Sequence, residues 1–408
     1  MFSPLLLAFL SFPSLVLSKP TISTAWFAGW HGADSSPAFT VDQIPWDKYT
    51  ELTYAFAETT PNSGKLDLSG SEPEILPQFV AAAHANGVKA KVSIGGWTGS
   101  RFFSTAVATA ANRTLFVKAI VDLATTYNLD GIDIDWEYPN LQGIGCNTIN
   151  SADSSRLLSL LKQLRADPVG TKLILSAAVV TPFRDASGNP MSDVSAFADV
   201  LDYVAIMNYD VNGPWSPNVA ANAPLMDSCA PAEFQAGSAT DFVDAWIAAG
   251  FPANKIVLGV PGYGHSFAVA TKDAFADAAR TKLAMYAAFN AGRAPTGDAW
   301  DDAAETDECG NAQSQGGVIN FWGLIAQGYL NANGTAKAGV PFMFDTCSQT
   351  PFVYNTTTQV MISYDDARSF ALKGQFIKSR GLAGFAMWEA GGDSGDILIN
   401  SIRSAAGF

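Results

Sequence analysis

Asp130-Gly131-Ile132-Asp133-Ile134-Asp135-Trp136-Glu137-Tyr138 sets acids and apolar residues at alternate positions through an otherwise hydrophobic run. Successive side chains of a strand point to opposite faces, so Asp133, Asp135 and Glu137 share one face while Ile132, Ile134 and Trp136 share the other. If the apolar face packs against helices, the acids line an interior or a cleft, where lost hydration and neighbouring negative charge raise at least one carboxyl pKa. A solvated face of a surface strand is a poor match for Gly131 and the aromatic flanks. A proton donor tuned by the acids beside it is the better reading.

Outward from this run, short β-branched or aromatic segments recur at 24–30, 51–57, 88–94, 129–135, 173–179, 203–207, 256–262 and 382–388. Helical patterns stand between most of them, at 74–86, 114–127, 154–165, 240–249 and 365–379. Phe116, Ile120 and Leu123 show the spacing of three and four, and Gly87 and Gly381 read as C-terminal stops. Alternating strands and helices of this number predict an α/β fold, a (β/α)8 TIM barrel, whose functional side chains gather where strands end. Gly96 and Trp97, Asp135 and Glu137, Tyr209 and Asp210, Tyr263, and Trp388 all fall at such ends.

The seventh strand ends near Tyr263 and Gly264, yet the next helix begins only near Asp365, leaving roughly a hundred residues where a barrel loop needs a handful. This predicts a small α+β insertion, residues 268–354, between strand seven and helix seven. The barrel then comprises 19–267 and 355–408.

Composition bounds what such a barrel could bind. In 408 residues, 48% are hydrophobic and 15% charged, enough to bury a large core, and the formal net charge of -14 disfavours nucleic acid or an anionic membrane as partner. A neutral polymer is compatible. Residues 1–18 read as a secretory signal, which predicts a secreted, extracellular protein. Cys146, Cys229, Cys309 and Cys347 then permit two disulfides. Joining Cys146 to Cys229 and Cys309 to Cys347 keeps each bridge within one region of the expected fold. Asn112, Asn333 and Asn355 head glycosylation sequons. With three histidines and widely spaced cysteines, no metal or other cofactor is expected, and the chain is expected to act as a monomer.

Asp130, Asp133, Asp135 and Glu137 match position for position the D-x-x-D-x-D-x-E signature of glycoside hydrolase family 18, which the chain resembles. Ser93-Ile94-Gly95-Gly96-Trp97 is similar to that family's S-x-G-G segment, Met207-Asn208-Tyr209-Asp210 to M-x-Y-D, and Gly384-Phe385-Ala386-Met387-Trp388 to its last strand. The resemblance covers nearly the whole mature chain. It implies a chitinase that cuts β-1,4 bonds between N-acetylglucosamine units of chitin or chitooligosaccharides by a retaining, substrate-assisted route. Glu137 would protonate the glycosidic oxygen, Asp135 would orient the 2-acetamido group, Asp133 would share a proton with Asp135, and Tyr209 would donate to the acetamido oxygen. Asp210, Met207, Trp388, Trp97, Gly96, Tyr138, Trp215, Tyr263 and Phe56 form the implied substrate-binding set, with Trp30 as a further floor residue. Trp26, Trp46 and Trp246 are read as core and Asp130 as a structural acid. His265 departs from the family pattern, in which many members have Arg. Two alternatives stay open: a chitin-binding lectin on the same barrel, and an endo-β-N-acetylglucosaminidase acting on N-glycans.

Overall fold

A computed structural model describes residues 20–33 and 35–408; the expected signal, 1–18, lies outside the described residues. Eight parallel strands close on themselves: β1 Ile22–Ala28, β2 Glu51–Thr59, β3 Lys89–Gly95, β4 Gly131–Asp135, β5 Ile174–Val179, β6 Tyr203–Ile206, β7 Ile256–Pro261 and β8 Gly384–Trp388. Each pairs with its sequence neighbours, and β8 returns to β1, so the sheet is a (β/α)8 barrel. Strands begin and end within two residues of the expected runs, because the period-2 alternation that marked them also decides which face is buried.

Helices cover the outer wall: α1 Leu76–Ala85, α2 Ala110–Tyr127, α3 Asp153–Ala166, α4 Ala239–Ala248, α5 Ala367–Arg380 and α6 Ile397–Ala406. Helix α2 starts earlier than expected because the Thr109 hydroxyl accepts the Asn112 amide at 3.1 Å and caps it. Helix α5 is closed at both ends, by Asp366 accepting the Ser369 amide at 2.9 Å and by left-handed Gly381. The strand–helix alternation is incomplete: β1 is followed by 3-10 turns and β5 by the single turn Ser195–Ala198. Helix α6, after β8, was not anticipated.

The two faces of the barrel wall differ in kind. Outward residues such as Ile132, Ile134, Leu175, Val204 and Leu258 are buried under the helices in one apolar core. Inward positions hold small or polar groups, among them Ala55, Ser93, Asp133, Ser176, Ala178 and Ala205, together with Trp26 and Tyr203. A lumen of this composition has room for hydrogen-bonded side chains, and it supports the acid row from beneath.

Between β7 and α5 a five-stranded antiparallel sheet is built, in the order Val318–Asn320, Tyr263–Ala268, Val360–Ser363, Thr350–Asn355, Phe342–Asp345. It draws in residues 263–267 and Val360–Ser363, which lie outside the 268–354 segment expected for the insertion. These two strands pair with each other, so the entering and leaving chain form the sheet's own centre. The disulfides correct the expected pairing. Cys146 bonds Cys309 and Cys229 bonds Cys347, with Cα separations of 5.5 and 5.7 Å. Each bridge joins a barrel loop to the insertion, because the insertion leans across the loops that follow β4 and β6. Arg101 and Glu308, 3.0 Å apart, cross the same seam.

Candidate active site

The C-terminal ends of the strands open into a cleft of about 770 Å³. Trp30, Phe56, Trp97, Asp135, Glu137, Tyr138, Met207, Tyr209, Asp210 and Trp388 line it. Strand alternation accounts for the acids: on β4 the inward positions are Gly131, Asp133 and Asp135, and Glu137 continues that face past the strand end. The Glu137 backbone is tied at both ends, its amide donating to Ser100 Oγ at 2.9 Å and its carbonyl accepting from Asn147 Nδ2 at 2.7 Å. The same Ser100 hydroxyl donates to the Asp135 carbonyl at 3.0 Å. Gly95 on β3 has φ of 112°, and a Cβ there would stand 2.0 Å from the Asp135 carbonyl oxygen, so only glycine lets β3 approach so closely.

The three acids have different surroundings. Asp133 is saturated: Ser93 Oγ donates to Oδ2 at 2.7 Å, Trp26 Nε1 to the same oxygen at 3.3 Å, and Ser176 Oγ to Oδ1 at 2.6 Å. Asp135 is buried with its Oδ1 unpartnered, and burial, then the charges of Glu137 and Asp133, hold its pKa well above the usual carboxylate range. Glu137 is pushed up to about 7, chiefly by burial; a hydrogen bond with Tyr138 opposes the rise and Asp210 adds to it. Burial and the neighbouring Asp135 keep the Tyr209 hydroxyl protonated by raising its pKa. At the other end of β4, Asp130 accepts from His84, Lys89 and the Ala90 amide; burial works against its charge, but these bonds prevail and lower its pKa.

Aromatic rings floor the cleft. Trp388 stacks on Phe56 with centroids 5.4 Å apart and planes 20° from parallel, and Trp30 stacks on the same Phe56 at 6.0 Å. Trp97 leans out from the rim, 51% exposed. Asp210 adopts a left-handed φ of 54°, and its Oδ1 accepts from the Tyr263 hydroxyl at 2.8 Å and from His265 Nε2 at 2.7 Å. The histidine that departs from the family pattern therefore grips the carboxylate of the M-x-Y-D segment.

Not every expected residue reaches the cleft. Trp215 is 62% exposed and lines a neighbouring hollow with Ser266 and Phe267. Tyr263 and Asp133 act from behind, through Asp210 and beneath Asp135, and Gly96 makes room for the Phe56 ring, 2.8 Å from where its Cβ would be. Trp26, read as core, is buried as expected, and it also donates to Asp133 and meets Trp388 edge-on at 6.0 Å. Its inward position on β1 was the available signal. Glu58 and Asp302 also line the cleft. Glu58 is turned to the cleft by the irregularity in β2 between Tyr54 and Ala57, which reverses the alternation that puts Glu51 and Ala55 inward, whereas Asp302 comes from the insertion, which carries no periodic pattern there. Among the sequons, Asn112 already donates its amide to the Thr105 carbonyl at 2.8 Å, while Asn333 lies in an exposed turn and Asn355 is half-buried.

An eight-stranded barrel with an acid row ending in a raised-pKa glutamate, over an aromatic floor, defines a glycosidase-like scaffold. A family model described as glycosyl hydrolases family 18 matches residues 23–393, and the chain belongs to that family. It is 54% identical over 405 residues to a chitinase-like effector of Moniliophthora roreri, covering 99% of this chain and 97% of the relative. It is 33% identical to Chitinase A1 of Niallia circulans over 78% of this chain and 42% of that protein. A chitinase crystal structure from Rhizomucor miehei superposes with a TM-score of 0.84 at 34% identity, covering 95% of this chain and 100% of the other.

Proposed function

We propose that this chain is a secreted chitinase that hydrolyses β-1,4 bonds between N-acetylglucosamine units with retention at the anomeric carbon. One observation carries the reading. Beside a glutamate with a pKa near 7 lies a buried aspartate whose Oδ1 has no partner. A protein nucleophile would need an accessible second carboxylate, whereas a shielded, unpartnered oxygen suits an N–H donor on the substrate.

In the first step Glu137 gives its proton to the glycosidic oxygen as that C–O bond breaks. The carbonyl oxygen of the sugar's own 2-acetamido group forms the new bond to the anomeric carbon, giving an oxazolinium ion. Asp135 accepts the acetamido N–H and holds the group in line, and Tyr209 donates to the acetamido oxygen. In the second step Glu137, now a carboxylate, takes a proton from water, which attacks the anomeric carbon on the leaving-group face and restores the acetamide. Trp388 and Phe56 support the ring, and Asp210 binds the distorted sugar. The two disulfides and the absence, among the described residues, of a helix long and apolar enough to cross a membrane are compatible with an extracellular site of action.

Binding of chitooligosaccharides without turnover is the second reading. It is favoured by the name chitinase-like effector, carried by the Moniliophthora roreri relative and by a 49% identical one from Moniliophthora perniciosa. One experiment separates the readings: purified protein and Glu137→Gln are given N-acetylglucosamine oligomers, with products resolved by length and anomer and binding followed by calorimetry. The first reading expects β-anomeric products from the parent and binding alone from the variant. Binding without cleavage by the parent would establish the second.

A further inference from the structure

Below the acid row the barrel holds a lysine. Lys91 is 1% exposed and points inward from β3, with its Nζ 2.9 Å from Glu51 Oε1 and 2.9 Å from Ser176 Oγ, and hydrogen-bonded to the Tyr203 hydroxyl. An ammonium has three N–H donors and no acceptor, and here each donor has its own oxygen. Gly131 makes the space: a Cβ there would stand 2.9 Å from Lys91 Cδ. The direction of bonding follows. Ser176 Oγ receives a hydrogen from Lys91, so its own single hydrogen goes to Asp133 Oδ1, 2.6 Å away. Ser93, Asp133 and Ser176 lie in register across β3, β4 and β5, and the Ser93 hydroxyl and Trp26 indole point donors at the other Asp133 oxygen.

We infer that Lys91 is a positioning residue for the reaction proposed above: through Ser176 it holds Asp133 as a hydrogen-bond acceptor, so that the proton of the Asp133–Asp135 pair resides on Asp135, next to Glu137. Proton sharing between the two aspartates, implied by the family resemblance, thereby acquires a direction. The titratable groups around this line are Glu51 on β2, Tyr203 on β6, and Asp135 and Glu137 above Asp133, with Tyr209 and Asp210 beyond them. Lys89 and Asp130 pair with each other at the far end of β3 and β4, and β1, β5, β7 and β8 carry no titratable residue.

The test uses three variants of the full chain. Ser176→Ala breaks the line above Lys91. The double variant Lys91→Met with Glu51→Gln removes both buried charges together, leaving neither unpaired. Tyr203→Phe removes one of the three oxygens around Lys91 but leaves the Lys91–Ser176 and Ser176–Asp133 bonds in place. Two readouts are taken: carboxyl titration of aspartate-labelled protein by isotope-edited infrared spectroscopy, and the pH profile of kcat/KM on a chitooligosaccharide. With a donor or the cation lost, the Asp133 anion is less stabilised. A second protonated aspartate is then expected in the first two variants, the acid limb should move up by about one pH unit, and kcat should fall about tenfold at little changed KM. Tyr203→Phe is expected to leave both curves in place. Unmoved titration in Ser176→Ala and the double variant, with loss of thermal stability alone, would overturn the inference and leave Lys91 a structural ion. The infrared titration needs no turnover, so it decides the matter even if the parent protein proves not to cleave chitin.

Discussion

Glu137 shows how burial and charge, rather than residue type, make a glutamate an acid at neutral pH. Its carboxyl is raised to about 7, so kcat/KM on chitooligosaccharides is expected to fall as pH passes that value and the proton to be donated is lost. Glu137→Gln should lower kcat by about 10²–10⁴ while oligomer binding persists. The same shift has a consequence for stability. A carboxyl whose folded pKa lies above its unfolded value contributes fully below the unfolded value, about 4.5, and that contribution is lost as pH rises towards 7. Glu137→Gln is therefore expected to melt higher than the parent near ~pH 8 and no higher near ~pH 4, a difference calorimetry would reveal. Trp388, stacked on Phe56, presents an indole to an apolar sugar face; Trp388→Ala is expected to reduce kcat/KM about tenfold, or ~1.4 kcal/mol, with its fold retained by circular dichroism.

At the level of elements, β3 and β4 work as a pair. The positive φ of Gly95 and its closeness to the Asp135 carbonyl mean that Gly95→Ala must push the strands apart where the acids are aligned. A loss of about 2 kcal/mol or more in denaturant unfolding is expected, with a larger proportional loss of activity. Strands were legible because one alternation, broken only locally as in β2, served both faces: apolar outward under the helices, mostly small or polar inward. Helix α6 had a signal that the expected pattern omitted: Leu398, Ile399, Ile402 and Ala406 share one face over 397–406. The sequence showed no helical pattern after β1 or β5, and the structure has only 3-10 turns and a single α-helical turn there. Lys91 and Glu51 stood in plain alternation, yet their pairing depends on strands brought together by barrel closure and register.

The whole molecule is a barrel with an insertion pinned beside its mouth. Both disulfides cross that seam, as does the stacking of Trp300 on His31 at 4.0 Å. Replacing Cys146 and Cys309 together with serine is expected to cost about 2–4 kcal/mol in unfolding. If the insertion is one wall of the substrate cleft, through Asp302, the same variant should weaken binding of longer oligomers more than of short ones, and calorimetry with a length series would measure this. The expected cysteine pairing failed for a physical reason. It assumed that bridges stay within one region, whereas a bridge forms wherever folding brings two Cα atoms within about 6 Å, and here that is between regions.

Periodicity, glycine stops and the acid row were enough, from the amino-acid order alone, to specify the barrel and the end of it that holds the cleft, and the motifs shared with family 18 added the grouping of Asp133, Asp135, Glu137, Tyr209, Asp210 and Trp388. Those features are local: each depends on neighbours a few positions away in the chain. Closure and docking decided the rest. They set the partners of the four cysteines, the grip of His265 and Tyr263 on Asp210, the indole of Trp26 on Asp133, and the lysine beneath the acids. Such contacts join residues far apart in sequence, and their energies depend on distances and burial that exist only once the sheet has closed.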